Sequence, residues 1–568
     1  MIFNNFKKFF LIGKIPKKFF LILNTLCILF FSSQVLAANV GDSLNFNVED
    51  DFDISQRSQV AGELVKISPN IYFYVEKNWW DSQFDSKKSQ ILSQLDGLSS
   101  EFNNRIYPVL TSVYGSEWNP GVDNDPRVTI FFHSIKDNAG GYFRSNDEYL
   151  KLQIPDSNEK EMIYINLSYV DDPKLKVFVA HEFTHLIEFN QKERLNKIQE
   201  EVWLNEGRAD YSSTILGYDD NYDGSNLQAR VKDFLQNPTD SIAEWQENKY
   251  DYASVSLFLH YLTDHYSLDV LSNSLKSKLV GIESINYALS KQGSPEDFSQ
   301  IFTNWEIATI INDCSLDIKY CYLNQNLKKL KINPTLNFLP LSGNSSLSVS
   351  DSIKNWSGNW QKVIGGNGGN LKLNFSGLSI LNFKVSYVVF DKDGNYTVNS
   401  MKLDQNEKGS LEIDNFGTQY LSLFVVPSLQ SKTLGFNGGE LSYPYSFTVS
   451  IAGSNDQSDQ DIVQKLLDQI ASLKKQIADL QKALGQNGSN SSCVVLNSNL
   501  HLGLKNDEVA CLQQALKDQG EGIYPEGLVT GYFGSLTKSA VIRFQEKYNI
   551  PNTGFVGPLT RQKINQLL

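Results

Sequence analysis

Residues 177–211 read VFVAHEFTHLIEFNQKERLNKIQEEVWLNEGRADY, and this stretch decides how the rest of the chain is read. It opens with an apolar run into His181-Glu182-Phe183-Thr184-His185. On a helix, residues four apart share a face, so His181 and His185 point the same way. Two imidazoles so placed can both reach one Zn²⁺ at about 2.0–2.1 Å. Glu182 then projects beside the ion, where it can take a proton from an activated water. A catalytic zinc usually has three protein ligands and one open position. Glu206, in Trp203-Leu204-Asn205-Glu206-Gly207-Arg208-Ala209-Asp210, follows a polar loop at the start of a second predicted helix and supplies the third. Asp210 lies one turn further on the same face and is expected to accept the free ring N–H of a ligand histidine. The alternative is a pair of helix histidines satisfied by core hydrogen bonds, which leaves the convergent carboxylates without a role.

HEFTH followed by NEGRAD resembles the gluzincins, the glutamate-type zincins of the thermolysin-like clan. The WLNEG form, with the DNDPRVTIFF and GGYF stretches upstream, is similar to the hyicolysin-like branch of secreted bacterial zinc metallopeptidases. The resemblance implies a zincin-like domain in which a strand-rich lobe leads into the active-site helix. It also implies hydrolysis of protein or peptide substrates, with His181, His185 and Glu206 on one zinc and Glu182 as general base. Peptide hydrolysis passes through an oxyanion that needs a donor. In similar gluzincins a tyrosine opens a Y-small-x-small-x-L-F helix, and Tyr252 in KYDYASVSLFLHYL matches it. Tyr250 is its neighbour, and the alternative is an aromatic cap packed on a helix. The thermolysin-type histidine motif that assists the oxyanion is not recognisable.

At 568 residues the chain is long enough for three or four domains. Five lysines precede an apolar run, residues 19–31, and Val35-Leu36-Ala37 suits signal peptidase, so residues 1–37 read as a signal peptide. That run is short for a membrane span, although an uncleaved anchor is the alternative. Cys27 falls inside it without a good lipoprotein box. The expectation is therefore export, to the cell wall or beyond, with no stable span afterwards. Without the five lysines of residues 1–37, 46 of the 51 Lys+Arg face 64 Asp+Glu, a balance of −18. Such a surface repels phosphate backbones and argues against nucleic acid. Cys314/Cys321 and Cys493/Cys511 form two local pairs, read as disulfides in an exported chain, with free thiols or a metal site as alternatives.

The expected architecture is α+β and multidomain. Residues 39–335 form the zincin-like domain, within which 39–60 could be a proregion. Ile91, Leu92, Leu95, Leu98, Phe102 and Ile106 give a helical stripe, and 71–75 and 128–132 read as strands. Tyr218-Asp219-Asp220-Asn221-Tyr222-Asp223-Gly224 looks like half a Ca²⁺ loop, but Arg230 stands where its bidentate glutamate belongs, so a solvated turn is favoured over calcium. Residues 336–452, with short alternating runs between turn signals, read as an antiparallel β-sandwich. In 453–486 a polar linker leads to a heptad seam, Val463, Leu466, Ile470, Leu473, Ile477, Leu480 and Leu484. It reads equally as a dimerising coiled coil or a single helical spacer, and a flexible tether, residues 485–492, follows. Residues 493–568 carry TGYFGSLT and TGFVGPLT as an internal repeat. With VACLQQAL and AVIRFQ, they resemble the peptidoglycan-binding type 1 domain, a three-helix bundle. The reading is an exported zinc endopeptidase held at the wall. A stem-peptide hydrolase, or an inactive wall-bound scaffold, is the alternative.

Overall fold

The computed structural model describes residues 38–136, 139–431, 441–452 and 495–567. The signal segment, the linker, the heptad helix with its dimer reading, the tether and Cys493 lie outside the described residues. The chain divides into two compact units, Met1–Asp459 and Gln460–Leu568.

The first unit begins with a mixed sheet of six strands: β1 (Ser43–Asn47), β2 (Gln59–Ile67), β3 (Ile71–Glu76), β4 (Val128–His133), β5 (Gly141–Phe143) and β6 (Met162–Asn166). Their order is β1-β2-β3-β4-β6-β5. The inner strands β3, β4 and β6 run parallel and are buried along their whole length, hence their unbroken apolar sequences. β5 lies antiparallel to β6 at the sheet's edge. Helices α1 (Lys77–Asp81) and α2 (Asp85–Glu101) follow β3, and α2 turns Ile91, Leu95 and Leu98 inward as the stripe requires. A π-turn, Phe102–Ile106, carries α2 into α3 (Tyr107–Tyr114).

Residues 39–60, readable as a proregion, are built into this sheet. β1 pairs with β2, Phe46 and Val48 are buried beside Tyr74 and Phe131, and Arg57 bridges Asp53 at 2.7 Å and Glu76 at 2.6 Å.

A helical half follows: α4 (Leu175–Glu188), α5 (Val202–Ile215), α6 (Asn226–Gln236), α7 (Lys249–Tyr266), α8 (Asp269–Leu275), α9 (Gly281–Lys291) and α10 (Phe298–Ile311). Cys314 and Cys321 are joined in a disulfide just beyond α10.

Further strands follow among the described residues: β7 (Thr335–Leu339), β8 (Ser345–Lys354), β9 (Ser357–Gly358), β10 (Gln361–Gly365), β11 (Leu371–Ser376), β12 (Phe383–Asp391), β13 (Tyr396–Ser400), β14 (Lys408–Ile413), β15 (Tyr420–Leu429) and β16 (Ser442–Ile451), and all but the two-residue β9 build two facing sheets. One sheet runs β13-β12-β15-β10-β7 and the other β14-β11-β16-β8, with Val363, Leu373, Phe375, Val425, Phe447 and Val449 in the core between them. Two expectations are corrected here. The sandwich is not wholly antiparallel, because β7 pairs parallel with β10. Nor is residue 335 a break between separate bodies. Trp356 and Trp360 join the core of the helical half, Trp356 stacking edge-on to Phe298 and Phe302, while the Trp360 indole donates to the Glu306 carbonyl at 3.0 Å.

The second unit holds α11 (Asp507–Asp518), α12 (Ser535–Lys547) and α13 (Pro558–Asn565) around Leu500, Leu512, Leu516, Phe533, Val541, Phe544 and Val556. The internal repeat has one physical cause, a buried glutamine in front of each turn. The Gln513 carbonyl oxygen accepts from the Thr530 and Gly531 N–H groups, and its amide donates to the Tyr532 carbonyl at 2.8 Å. Gln545 does the same with the Gly554 N–H and the Phe555 carbonyl, each at 2.9 Å. Cys511 is disulfide-bonded.

Candidate metal centre

α4 forms because Leu175, Val179, Ala180, Phe183, Leu186 and Ile187 recur at helical spacing and are buried. That leaves His181 and His185 on one face, their ring centroids 4.9 Å apart. α5 packs alongside, its Trp203 and Leu204 buried, and turns Glu206 to both imidazoles. His181 Nε2 lies 3.3 Å from Glu206 Oε2, and His185 Nε2 lies 3.6 Å from Glu206 Oε1. Among the described residues this triad alone brings three ligand atoms of His, Cys, Asp or Glu within 4.8 Å of one another. A tetrahedral ion with bonds of about 2.0–2.1 Å separates its ligand atoms by roughly 3.3–3.4 Å. The two Glu206 contacts, one to each carboxylate oxygen, come near that spacing, while the three ligand atoms as a set lie within 4.8 Å of one another.

The charge around it is set by the same residues. Burial pushes the Glu206 carboxyl up, but His185 and His181 outweigh it and hold the group at about 2, with the Tyr252 hydroxyl donating to it. Burial disfavours a proton on His185, yet Glu206 and Glu188 overcome that and raise the ring to about 9. Three carboxylates, those of Glu182, Glu188 and Glu206, thus stand against two imidazoles around the triad. Glu182 is 6 % exposed, and burial raises its carboxyl while His181 and His185 temper the rise. It lies against β5: a Cβ on Gly141 would stand 3.0 Å from Glu182 Cγ and 2.5 Å from the Tyr164 carbonyl oxygen. Only a glycine lets the edge strand run this close to the base.

The residue orienting a ligand histidine differs from expectation. Asp210 is buried but taken by Arg230, at 2.7 Å, and by the Asn226 amide at 2.8 Å. The carboxylate that meets a ligand ring is Glu188, its Oε2 3.1 Å from His185 Nδ1. Fully buried Arg208 backs it, with Nη1 3.5 Å from Glu188 and 3.0 Å from Glu200, and Lys192 lies 3.2 Å from Glu200. Glu188 stands three residues after His185, a helical spacing visible in the sequence once the motif is read past its last histidine.

Tyr252 opens α7 near the triad, its ring under the Arg230 guanidinium at 4.7 Å and edge-on to Trp245. Tyr250 instead meets Lys249, 4.9 Å from its ring. In the Ca²⁺-loop candidate, Asp219 accepts from the Leu227 N–H at 3.1 Å and the Thr214 hydroxyl at 2.7 Å, so it braces the turn before α6.

Residues 505–564 match the family described as "Putative peptidoglycan binding domain". The chain therefore carries a C-terminal peptidoglycan-binding domain, which fits association with the cell wall. No curated protein matches the chain. Solved structures similar to part of it include the pre-peptidase C-terminal domain of a collagenase from Bacillus anthracis, 9 % identical over 21 % of this chain and 96 % of that one, with a TM-score of 0.15. A mitogen from Yersinia pseudotuberculosis is 13 % identical over 20 % and 92 %, with a TM-score of 0.14. The lysozyme inhibitor PliG of Aeromonas hydrophila is 12 % identical over 21 % and 99 %, with a TM-score of 0.14. Likenesses this small carry no conclusion about fold or function. No helix among the described residues is long and apolar enough to cross a membrane.

Proposed function

We propose that this chain is a wall-associated zinc endopeptidase with a zincin-like catalytic half. The observation that carries the proposal is the convergence of His181, His185 and Glu206 beside buried Glu182. Held by those three residues, zinc would act as a Lewis acid and lower the pKa of a water toward about 7. Glu182 is placed to accept a proton from an attacking water and would return it to the departing amine nitrogen. Its raised affinity for protons suits both transfers. Burial keeps the Tyr252 hydroxyl protonated, so it remains a donor for the oxygen that gains charge. Glu188 and Arg208 hold the His185 ring in one tautomer. The outer edge of β5 is the open margin of the sheet, and an extended peptide added there would run past Glu182.

Metal stoichiometry tests the ligand set: one zinc per chain, lost in His185→Ala and kept in Glu182→Gln. Zinc retained undiminished by His185→Ala would sink the assignment. The peptidoglycan-binding domain favours a second reading, in which the bonds cut are those of peptidoglycan stem peptides. Release of peptides from purified sacculi, set beside cleavage of unfolded casein, separates the two readings. An inactive scaffold would do neither.

A further inference from the structure

A second group of buried acid lies apart from the triad, and neither of its carboxyl groups forms an ion pair with a described residue. Glu148 ends the short helical turn Ser145–Glu148 after β5; it is 2 % exposed, yet neither carboxyl oxygen meets a donor. Glu161, 3 % exposed, stands just before β6. Its Oε1 accepts the Val122 N–H at 2.7 Å, and its Oε2 meets no donor. The two carboxyl groups lie within hydrogen-bond reach of each other, a contact that two ionised carboxylates cannot make. Lys160 pairs with Asp123 at 2.9 Å and its charge also falls on Glu161, while Arg144 is held by Asp147 at 3.0 Å and Glu49 at 2.6 Å. Arg194 and Lys197 line the cavity beside Glu148 without an ion pair to it.

The backbone is fitted to this pair. Gly121 has φ +91°, and a Cβ there would stand 1.7 Å from Glu161 Oε2, so the 119–125 loop is wrapped directly onto the carboxylate. Glu148 also lines a cavity of about 510 Å³ with Trp118, Val122, Tyr149, Phe189 and Glu193, which gives an ion and its waters a way in. Buried carboxylates without partners are costly, and the cost is removed either by a trapped proton or by a cation.

We infer that Glu148 and Glu161 form a calcium site that ties the 119–125 loop to the β5–β6 connection. The donors are all oxygen, two of them on a fully buried carboxylate able to bind with both atoms. That suits Ca²⁺, which takes six to eight oxygens in flexible geometry, better than Mg²⁺ or zinc. Asp123, whose charge acts on both glutamates, and Asp147, whose charge acts on Glu148, are further acids beside the pair, and water and loop carbonyls would complete the shell. The Ca²⁺ loop suggested by the sequence around Asp219 is a different place, and this site stands whether or not the chain is a peptidase.

The test is titration of the full-length, zinc-loaded chain with Ca²⁺, followed by calorimetry and melting temperature. Tb³⁺ luminescence sensitised by Trp118 and Tyr149 gives an independent readout. One equivalent bound, a raised melting temperature, and loss of at least tenfold in affinity in both Glu148→Gln and Glu161→Gln are expected. Absence of any Ca²⁺ effect in the native chain would overturn the site and leave a carboxyl pair sharing a proton. Binding unchanged in both near-isosteric variants would overturn it too, placing the ion elsewhere.

Discussion

Gly141 and Glu182 show how closely the candidate site is fitted at the scale of single residues. Gly141→Ala would push a methyl group into the Glu182 side chain and the Tyr164 carbonyl. Casein cleavage should fall about tenfold or more while zinc content and circular dichroism stay unchanged; an unaltered rate would mean that Glu182 is not held by β5. Glu188→Gln keeps the shape but removes the carboxylate on His185 Nδ1, so zinc affinity should fall about 10–100-fold in a chelator competition. Glu188 was hidden from the sequence only because the motif ends at His185. The Asp210 partner was hidden for a stronger reason: Arg230 is twenty residues away, brought in by α6, and no local spacing announces such a pair. Two buried histidines make a pH-dependent contribution to stability. Burial lowers His133 and His260 to about 4 each. The unfolded chain protonates these rings below about pH 6.5 and the fold does not, so their contribution to stability is lost as pH drops from about 6.5 to about 4, while buried Asp147, Asp251 and Asp264, each raised to about 6, act in the opposite sense. The loss is roughly 3 kcal/mol per histidine. The change in denaturant midpoint between about pH 7 and about pH 4.5 should therefore be less unfavourable in His260→Asn than in the native chain; an identical change in the two would contradict a buried neutral His260.

At the scale of elements, the two ends of the first unit are the parts most easily misjudged. A chain starting at residue 61 would lose β1, the buried Phe46 and Val48, and the Arg57 bridge to Glu76. Burial of two such side chains contributes several kcal/mol by the usual range of about 1.5–3 each. A melting temperature unchanged by that truncation would mark 39–60 as dispensable. Residues 39–335 alone should aggregate, because Phe298 and Phe302 on α10 would lose the cover of Trp356, whereas 39–452 should melt cooperatively. The α2 stripe and the two site helices were legible because a 3.6-residue period reports burial directly, and the inner strands because short unbroken apolar runs mark a strand buried on both faces. The parallel β7–β10 pair was not, since an alternating strand reads the same whichever way its partner runs. The docking of the sandwich on α10 was hidden too, because composition changes at residue 335 while the apolar core continues across it.

At the scale of the whole molecule, one chain joins a candidate hydrolytic centre to a peptidoglycan-binding domain. The repeat in that domain was plain in the sequence, but the buried Gln513 and Gln545 that explain it were not, since glutamine inside a helix reads as surface. Each turn exposes an aromatic ring, Tyr532 at 48 % and Phe555 at 41 %. The full chain should be retained on purified sacculi, and a chain ending at residue 452 should wash off; equal retention of the two would move wall binding out of the second unit. The measurement that reaches furthest is cleavage of unfolded casein by the full-length chain loaded with one zinc, beside Glu182→Gln carrying the same zinc. A peptidase built on this centre cleaves casein in the native chain, stops on chelation and resumes with added zinc, and is lost by about 10²–10⁴-fold in the variant. Equal cleavage by the two zinc-loaded proteins would contradict the role assigned to Glu182, and no cleavage of casein or sacculi by the folded native chain would contradict the enzyme itself.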